Sequence, residues 1–236
     1  MMGRLWLIPF AGMCIYSAVL LGIEASTSQD VARIYFTDIG MPSKPGRFAP
    51  ATGHIGYGVN TSLSAFLFEC AGAFAIFAAL ADRKPYSRAA LFFFLQGLIF
   101  VYLGLDDRFM LHERLGAMLN IYSSIVLILA VILNALLYLW LFRSSYFNGR
   151  MVILLLVAGG LSGAMLAVDF VWPKDMVLRL SVEDLLKSWS GFFFLLFAWE
   201  AARFRLVGQP QGERAARFPD SLISKVPARW RDRFTA

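Results

Sequence analysis

Six long apolar runs divide the chain, and polar segments separate them. The runs cover Leu5–Ile23, Thr61–Ala81, Ala89–Leu105, Ile121–Phe142, Met151–Trp172 and Val182–Phe204. A membrane-spanning helix needs about 20 predominantly apolar residues, because each residue advances the helix by about 1.5 Å. The pattern therefore predicts an all-α polytopic membrane bundle of about six transmembrane helices over residues 1–204.

Two polar stretches lie outside the predicted spans. Residues 25–59 contain Pro42, Pro45 and Pro50 among several glycines, which disfavour a helix and predict a loop over the outer face. Residues 205–236 are polar and basic, and we expect them to form a cytoplasmic tail. The first apolar run is longer than the roughly 7–15 residues of a signal-peptide core, so we expect a retained first helix.

The basic residues indicate how the helices are oriented. Hydrophobic residues make up 58% of the chain, against roughly 45–50% in soluble domains. The chain contains 22 Lys and Arg and 16 Asp and Glu, so its net charge is positive. Arg83, Lys84, Arg143 and Arg150 fall in two short loops on the same predicted side as the basic tail. Since cytoplasmic loops are enriched in Lys and Arg, we predict both termini in the cytoplasm. The positive charge then reflects insertion in a lipid bilayer, and we expect no nucleic-acid partner.

This topology places most acids, and both histidines, on the predicted outer side. Glu69 lies within the second span, where a carboxylate is costly and normally faces the bundle interior with a partner. On a continuing third helix, Asp106 and Glu113 would share a face with His112 nearby. With acids near the fifth and sixth spans, these side chains form a predicted metal site. Its candidate ligands are Glu69, Asp106, His112, Glu113, Asp169 and Glu183, with Asp184 as a neighbour of the last.

Carboxylates combined with imidazole favour Zn or Fe, so the expected cofactor is a divalent metal whose identity stays open. The alternative is a network that needs no metal, in which the acids pair with Arg108, Arg114, Arg179 and Lys187.

A separate pattern concerns packing. The glycines of the fifth span predict close approach of another helix, and they are Gly159, Gly160 and Gly163.

The segment from Leu105 to Leu115 resembles an Asp-Glu-x4-His-Glu signature of uncharacterised bacterial multi-span membrane proteins. Its matching residues are Asp106, His112 and Glu113, while Asp107 stands where the signature has Glu. The resemblance is confined to this segment. It implies a protein of the bacterial inner membrane and supplies no activity.

Three classes of function agree with these observations. The leading hypothesis is a metal-dependent membrane enzyme, such as a hydrolase, that acts on a lipid or other apolar substrate, because a bound metal activates water or, if it is iron, oxygen. The second is an accessory subunit of a larger membrane complex, whose acids pair with basic residues of partner subunits. The third is a proton- or cation-coupled transporter, in which Glu69 and the outer acids form an entry route.

Overall fold

Seven α-helices make up the part of the chain that the structure describes. This computed structural model describes residues 6–26, 58–82, 87–141, 146–172 and 177–207, and no strand occurs among them. The helices are α1 (Leu7–Ser26), α2 (Val59–Leu80), α3 (Arg88–Phe109), α4 (Leu111–Leu119), α5 (Ser123–Leu141), α6 (Gly149–Val171) and α7 (Val177–Val207). The all-α prediction is confirmed for these residues. Residues 27–57 of the predicted loop 25–59, and residues beyond 207 of the predicted tail 205–236, lie outside the described chain.

Four of these helices are long and apolar enough to cross a membrane by length and composition. They are α1, α2, α3 and the part of α6 from Gly149 to Asp169. Helix α5 has 19 residues and α7 has 31, which correspond to lengths of about 28 and 46 Å. The structure thus supports a helical membrane protein in contact with a lipid bilayer. The count of six spans, the orientation of the termini and the bacterial inner membrane stay predictions.

Helix α2 lies between α3 and α7, which both pack against it. Helix α6 packs on the other side of α7, α5 packs on α3 and α4, and α1 contacts α7. Large apolar side chains remain exposed on these peripheral helices, for example Ile8 of α1, Leu133 of α5 and Leu156 of α6. Surface of this kind is unfavourable in water and matches the hydrocarbon of a bilayer.

Glycines let α2 and α3 approach each other closely. A Cβ atom at Gly97 would lie 2.9 Å from the carbonyl oxygen of Gly72, and one at Gly104 would lie 2.9 Å from that of Ala65. Real side chains do not approach a carbonyl oxygen so closely. Any larger residue at Gly97 or Gly104 would therefore push the two helices apart.

The glycines of α6 have no comparable role among the described residues. The predicted close-packing positions are open, since an added Cβ would meet no atom within 4 Å at Gly159, Gly160 or Gly163. The prediction of close packing there is wrong for the described chain. The reason is that α6 turns another side to α7, where Ala158 is fully buried.

Aromatic side chains fill the space between α2, α3 and α7. The ring centroids of Phe100 and Phe194 are 4.8 Å apart, and Phe197 stacks on Phe147 at 6.1 Å. Offset and tilted contacts of this kind stabilise a core beyond the burial of apolar area. A separate set of polar side chains gathers where the start of α2, the end of α3 and the first half of α7 meet.

Candidate functional site

A group of buried polar side chains lies where the start of α2, the end of α3 and the first half of α7 meet. Its members, which we call the polar cluster, are Tyr16 of α1, Asn60 and Ser64 of α2, Asp107 of α3, and Asp184, Lys187 and Ser188 of α7. Asn60 and Ser64 are four residues apart, as are Asp184 and Ser188. Each pair therefore points to one side of its helix, toward the same junction.

Lys187 connects two carboxylates from different helices. Its Nζ atom lies 2.8 Å from Oδ1 of Asp107 and 3.6 Å from Oδ1 of Asp184. The carboxylates are buried, with exposed side-chain fractions of 6% and 7%, and the lysine side chain is 19% exposed. Ser64 donates a hydrogen bond to the other oxygen of Asp107. The hydrogen bond from Ser64 thus satisfies the second oxygen of the Asp107 carboxylate, which helps to keep a buried ion pair stable.

Asn60 is fully buried at the edge of this ion pair. Its Oδ1 atom accepts hydrogen bonds from the hydroxyls of Tyr16 and Ser188, both at 3.0 Å. Its Nδ2 atom has no hydrogen-bond partner among the described residues. Exchanging the two ends of the amide would leave the oxygen unpaired instead. One end of a buried amide is thus available to a water molecule or a ligand.

Asp106 and His112 form a second contact, which depends on a break in the helix. Met110 adopts a left-handed conformation with φ of 52° and ψ of 47°, so α3 ends at Phe109 and α4 begins at Leu111. Oδ1 of Asp106 accepts a hydrogen bond from the backbone N–H of His112 at 2.7 Å, and its Oδ2 atom lies 2.8 Å from Nδ1 of the ring. Asp106 therefore fixes the start of α4 and the orientation of the imidazole.

The environment of His112 favours its protonated form. Burial alone would lower the pKa of His112, but the hydrogen bond with Asp106 and the negative charges of Asp106 and Glu113 oppose this effect. Lys187 acts in the lowering direction and contributes less. The pKa of His112 is raised above its ordinary value as a result.

Arg179 holds two further acids of the predicted metal site. Its Nη1 atom lies 2.5 Å from Oδ1 of Asp169 on α6 and 3.0 Å from Oε2 of Glu183 on α7. The guanidinium thereby joins the end of α6 to the start of α7. Asp169 and Glu183 therefore agree with the alternative prediction of a metal-free network, in which the acids pair with basic residues.

The remaining predicted ligands are placed differently from the sequence expectation. Glu69 is exposed on the outside of the described bundle, so the expectation that it faces the interior is wrong for this part of the chain. Glu113 is exposed on α4. The expected shared face of Asp106 and Glu113 does not form, because the break at Met110 ends the helix between them.

No group of three or more His, Cys, Asp or Glu side chains within the described ranges is arranged to hold a metal ion. Asp106 and His112 meet, and Asp169 and Glu183 meet at Arg179, but the described side chains do not fit a complete site for Zn or Fe. The divalent metal stays a prediction. If it is correct, His112→Ala should lower the metal content of chelator-free purified protein. Protein that contains no stoichiometric metal would remove the prediction.

Residues 10–201 match the model of a protein family described as a domain of unknown function, DUF8692. The chain belongs to the DUF8692 family. The match begins in α1 and ends in α7, so the DUF8692 region contains the entire polar cluster. Comparisons with curated proteins and with solved structures found no match. The family agrees with the expected resemblance to uncharacterised proteins, whereas the signature and the bacterial origin stay predictions.

Several residues of this DUF8692 site were not among the candidate ligands from the sequence. Lys187 and Arg179 were predicted only as basic partners of the acids, and Asn60, Ser64 and Ser188 were not predicted as site residues. A signal for the residues of α7 exists in the sequence, because Ser181, Asp184 and Ser188 recur every three or four residues. Such a polar stripe indicates that one face of α7 is turned away from lipid.

Proposed function

We propose that this DUF8692 protein is a proton- or cation-coupled membrane transporter whose coupling site is the polar cluster. The observation that carries the proposal is the position of Lys187 between the buried carboxylates of Asp107 and Asp184. Ionisable groups inside membrane bundles are costly and typically mark ion or proton pathways. Of the three classes of function, transport uses the groups that the described residues bring together.

The polar cluster contains one more carboxylate than ammonium among its described residues. Asp107 lies closer to Lys187 than Asp184 does, and it also accepts a hydrogen bond from Ser64. Excess negative charge in a buried site is unfavourable. A second positive charge at the cluster would offset this excess, and a proton or a small monovalent cation would supply it.

Neutral oxygen atoms of Ser188 and Asn60 belong to the same cluster as Asp184. Ser188 lies one turn after Asp184 on α7, and its hydroxyl bonds to Asn60. Carboxylate, hydroxyl and amide oxygens are the ligands that hard cations prefer. The Nδ2 atom of Asn60 can donate a hydrogen bond to a bound water molecule at the same site.

Gain or loss of a proton or cation at Asp184 would alter the contact between α7 and α3. While a proton or cation neutralises Asp184, Lys187 stays with Asp107 on α3. When that charge leaves, Asp184 competes for the ammonium and weakens the link between α7 and α3. Occupancy of the site thus biases α7 between two arrangements, as coupled transport requires.

The test uses membrane vesicles from cells that produce the full chain. A pH gradient is imposed, a pH-sensitive dye is followed, and monovalent cations and then classes of small solutes are added. We expect at least one addition to dissipate the gradient with the wild-type protein. Asp184→Asn should abolish this response while it leaves the Asp107–Lys187 pair in place.

Glu113→Gln is the matched control, because it removes the same charge from an exposed acid. It should retain the response of the wild-type protein at equal abundance in the membrane. Failure of every cation and solute class to dissipate the gradient would contradict the proposal. A response of Asp184→Asn equal to that of the wild type would contradict it as well.

A further inference from the structure

Helix α2 presents a stripe of side chains to the outside of the described bundle. Its exposed members are Phe66, Glu69, Ala73, Phe77 and Leu80. Spacings of three and four residues place them on one face of the helix. The apolar members suit a face in lipid, and Glu69 is the charged exception.

Glu69 lies near the middle of α2. The helix has 22 residues, and Glu69 follows its first residue by about 15 Å at the usual helical rise. Gly104 of α3 provides room for the side chain, since an added Cβ there would lie 2.8 Å from Cγ of Glu69. The stem of Glu69 therefore rests on α3, and its carboxylate lies at the exposed α2–α3 surface.

Glu69 differs in its pairing from three other acids, which lie on α3, α6 and α7. Asp107 is paired with Lys187, Asp169 with Arg179, and Glu200 with Arg203. Among residues 6–26, 58–82, 87–141, 146–172 and 177–207, nothing forms a hydrogen bond or ion pair with the Glu69 carboxylate. A carboxylate at this depth is unfavourable against lipid and is normally paired. Its partner is thus to be sought outside the described residues.

We propose that the exposed α2 stripe binds a membrane-spanning helix of another protein, which carries a lysine or arginine at the level of Glu69. Charge complementarity identifies this occupant, because a cation on a second helix would neutralise the carboxylate within the membrane. The spacing of the apolar neighbours is that of a helix–helix seam. Ala73, one turn after Glu69, is small enough to allow close approach of the second helix.

A second copy of this chain fits the surface less well. A twofold dimer through this stripe would place the same surface of both chains in contact. Two Glu69 carboxylates would then meet, and like charges at short distance destabilise each other. The chemistry of the surface therefore favours a cationic partner over self-association.

Site-specific photocrosslinking in intact native membranes tests the proposal. The photoreactive residue p-benzoylphenylalanine replaces Phe66, one turn before Glu69, and the crosslinked peptide is identified by mass spectrometry. We expect a peptide from a transmembrane segment of another protein that contains Lys or Arg. In the Glu69→Leu background its yield should fall about tenfold, in the range found for interhelical hydrogen bonds.

Leu136 on α5, which is 54% exposed, is the control position and should give no crosslink to the same partner. Exchanging the charges, with Glu69→Lys and an acid at the partner's basic position, should restore the yield. Crosslinks only to lipid, to a second copy, or to residues 27–57 of this chain would each overturn the proposal. A partner helix without Lys or Arg would overturn it too.

Discussion

Asp106 uses its two carboxylate oxygens in different ways at the start of α4. One oxygen caps the helix through the backbone N–H of His112, and this hydrogen bond does not require a charged imidazole. The other faces Nδ1 and forms an ion pair when His112 is protonated. Since the pKa of His112 is raised in the folded protein, the ion pair contributes its full stability below the ordinary histidine pKa of about 6.5. The contribution disappears as the pH rises through the raised pKa.

His112→Gln should therefore destabilise the protein at acidic pH and have little effect at alkaline pH. The glutamine keeps the backbone cap and removes the charge, so the expected loss is about 1 kcal/mol at low pH. Thermal unfolding of both proteins across the pH range measures it. A difference that stays constant with pH would mean that the ring contributes by packing and not by charge.

Lys187→Met should have a larger effect, because it leaves Asp107 and Asp184 buried without their shared cation. Removing one partner of a buried ion pair costs about 3–5 kcal/mol, and the partial exposure of Lys187 points to the lower end. Unfolding measurements on Lys187→Met and on the double variant with Asp107→Asn test this, and the double variant should be the more stable of the two. Equal stability of Lys187→Met and the wild type would contradict the structural role of the pair.

At the scale of elements, the crossing of α2 and α3 depends on glycine. Gly97→Ala places a methyl group against backbone atoms of α2, and overpacking of this kind costs about 1–3 kcal/mol. Gly160→Ala on α6 is the matched control, since its Cβ would meet nothing within 4 Å. The control should be neutral or slightly stabilising because alanine favours helix over glycine. Thermal unfolding should show a loss of stability for Gly97→Ala and none for Gly160→Ala. Equal losses of stability would mean that α6 is packed as tightly as α3.

The long elements could be predicted from sequence, but the helix break and the glycine contacts could not. Hydropathy marks the six long helices because lipid-facing and buried positions are both apolar. The end of α3 at Met110 carries no local signal, since methionine has no preference for a left-handed backbone. The break coincides with the hydrogen bond that Asp106 accepts from the backbone N–H of His112, six residues further on, and hydropathy does not reveal this contact. Likewise, sequence gives the glycines of α3 and α6 the same packing potential, and only the neighbours decide which of them is used.

The influence of neighbouring helices also explains why the prediction of the site from the sequence was incomplete. Glu69 and Asp107 are both acids of apolar segments, and the pattern alone cannot separate a carboxylate bound to Lys187 from one exposed on the bundle. The rotation of each helix decides this, and it is set by packing. The i, i+4 stripe of α7 was the accessible signal, because it shows which face avoids lipid without reference to other helices.

Across the whole molecule, ion pairs tie particular helix ends together. Lys187–Asp107 joins the start of α7 to the end of α3, and Arg179–Asp169 joins the start of α7 to the end of α6. The ends of α3 and α6 therefore lie at the same end of the described bundle. At the opposite ends of these helices, Asn148 before α6 donates a 3.4 Å hydrogen bond to Glu200 near the end of α7. These contacts favour the prediction that α5 and α7 cross the membrane together with the four strongly apolar helices.

The six-span prediction can therefore be tested where it differs most from a protein with four spans. If only α1, α2, α3 and α6 cross, residues 142–145 lie outside and residues 173–176 lie in the cytoplasm. If α5 and α7 cross as well, the two loops exchange sides, while the C-terminus is cytoplasmic in either case. Reporter fusions after Ser144 and after Lys174 distinguish the arrangements, with a fusion after Ala236 as the common reference. We expect cytoplasmic reporter activity after Ser144 and Ala236, and outer-side activity after Lys174. The reverse result at the two loops would separate the end of α3 from the end of α6 by the thickness of the membrane, and Lys187 and Arg179 could not then hold both their acids at once.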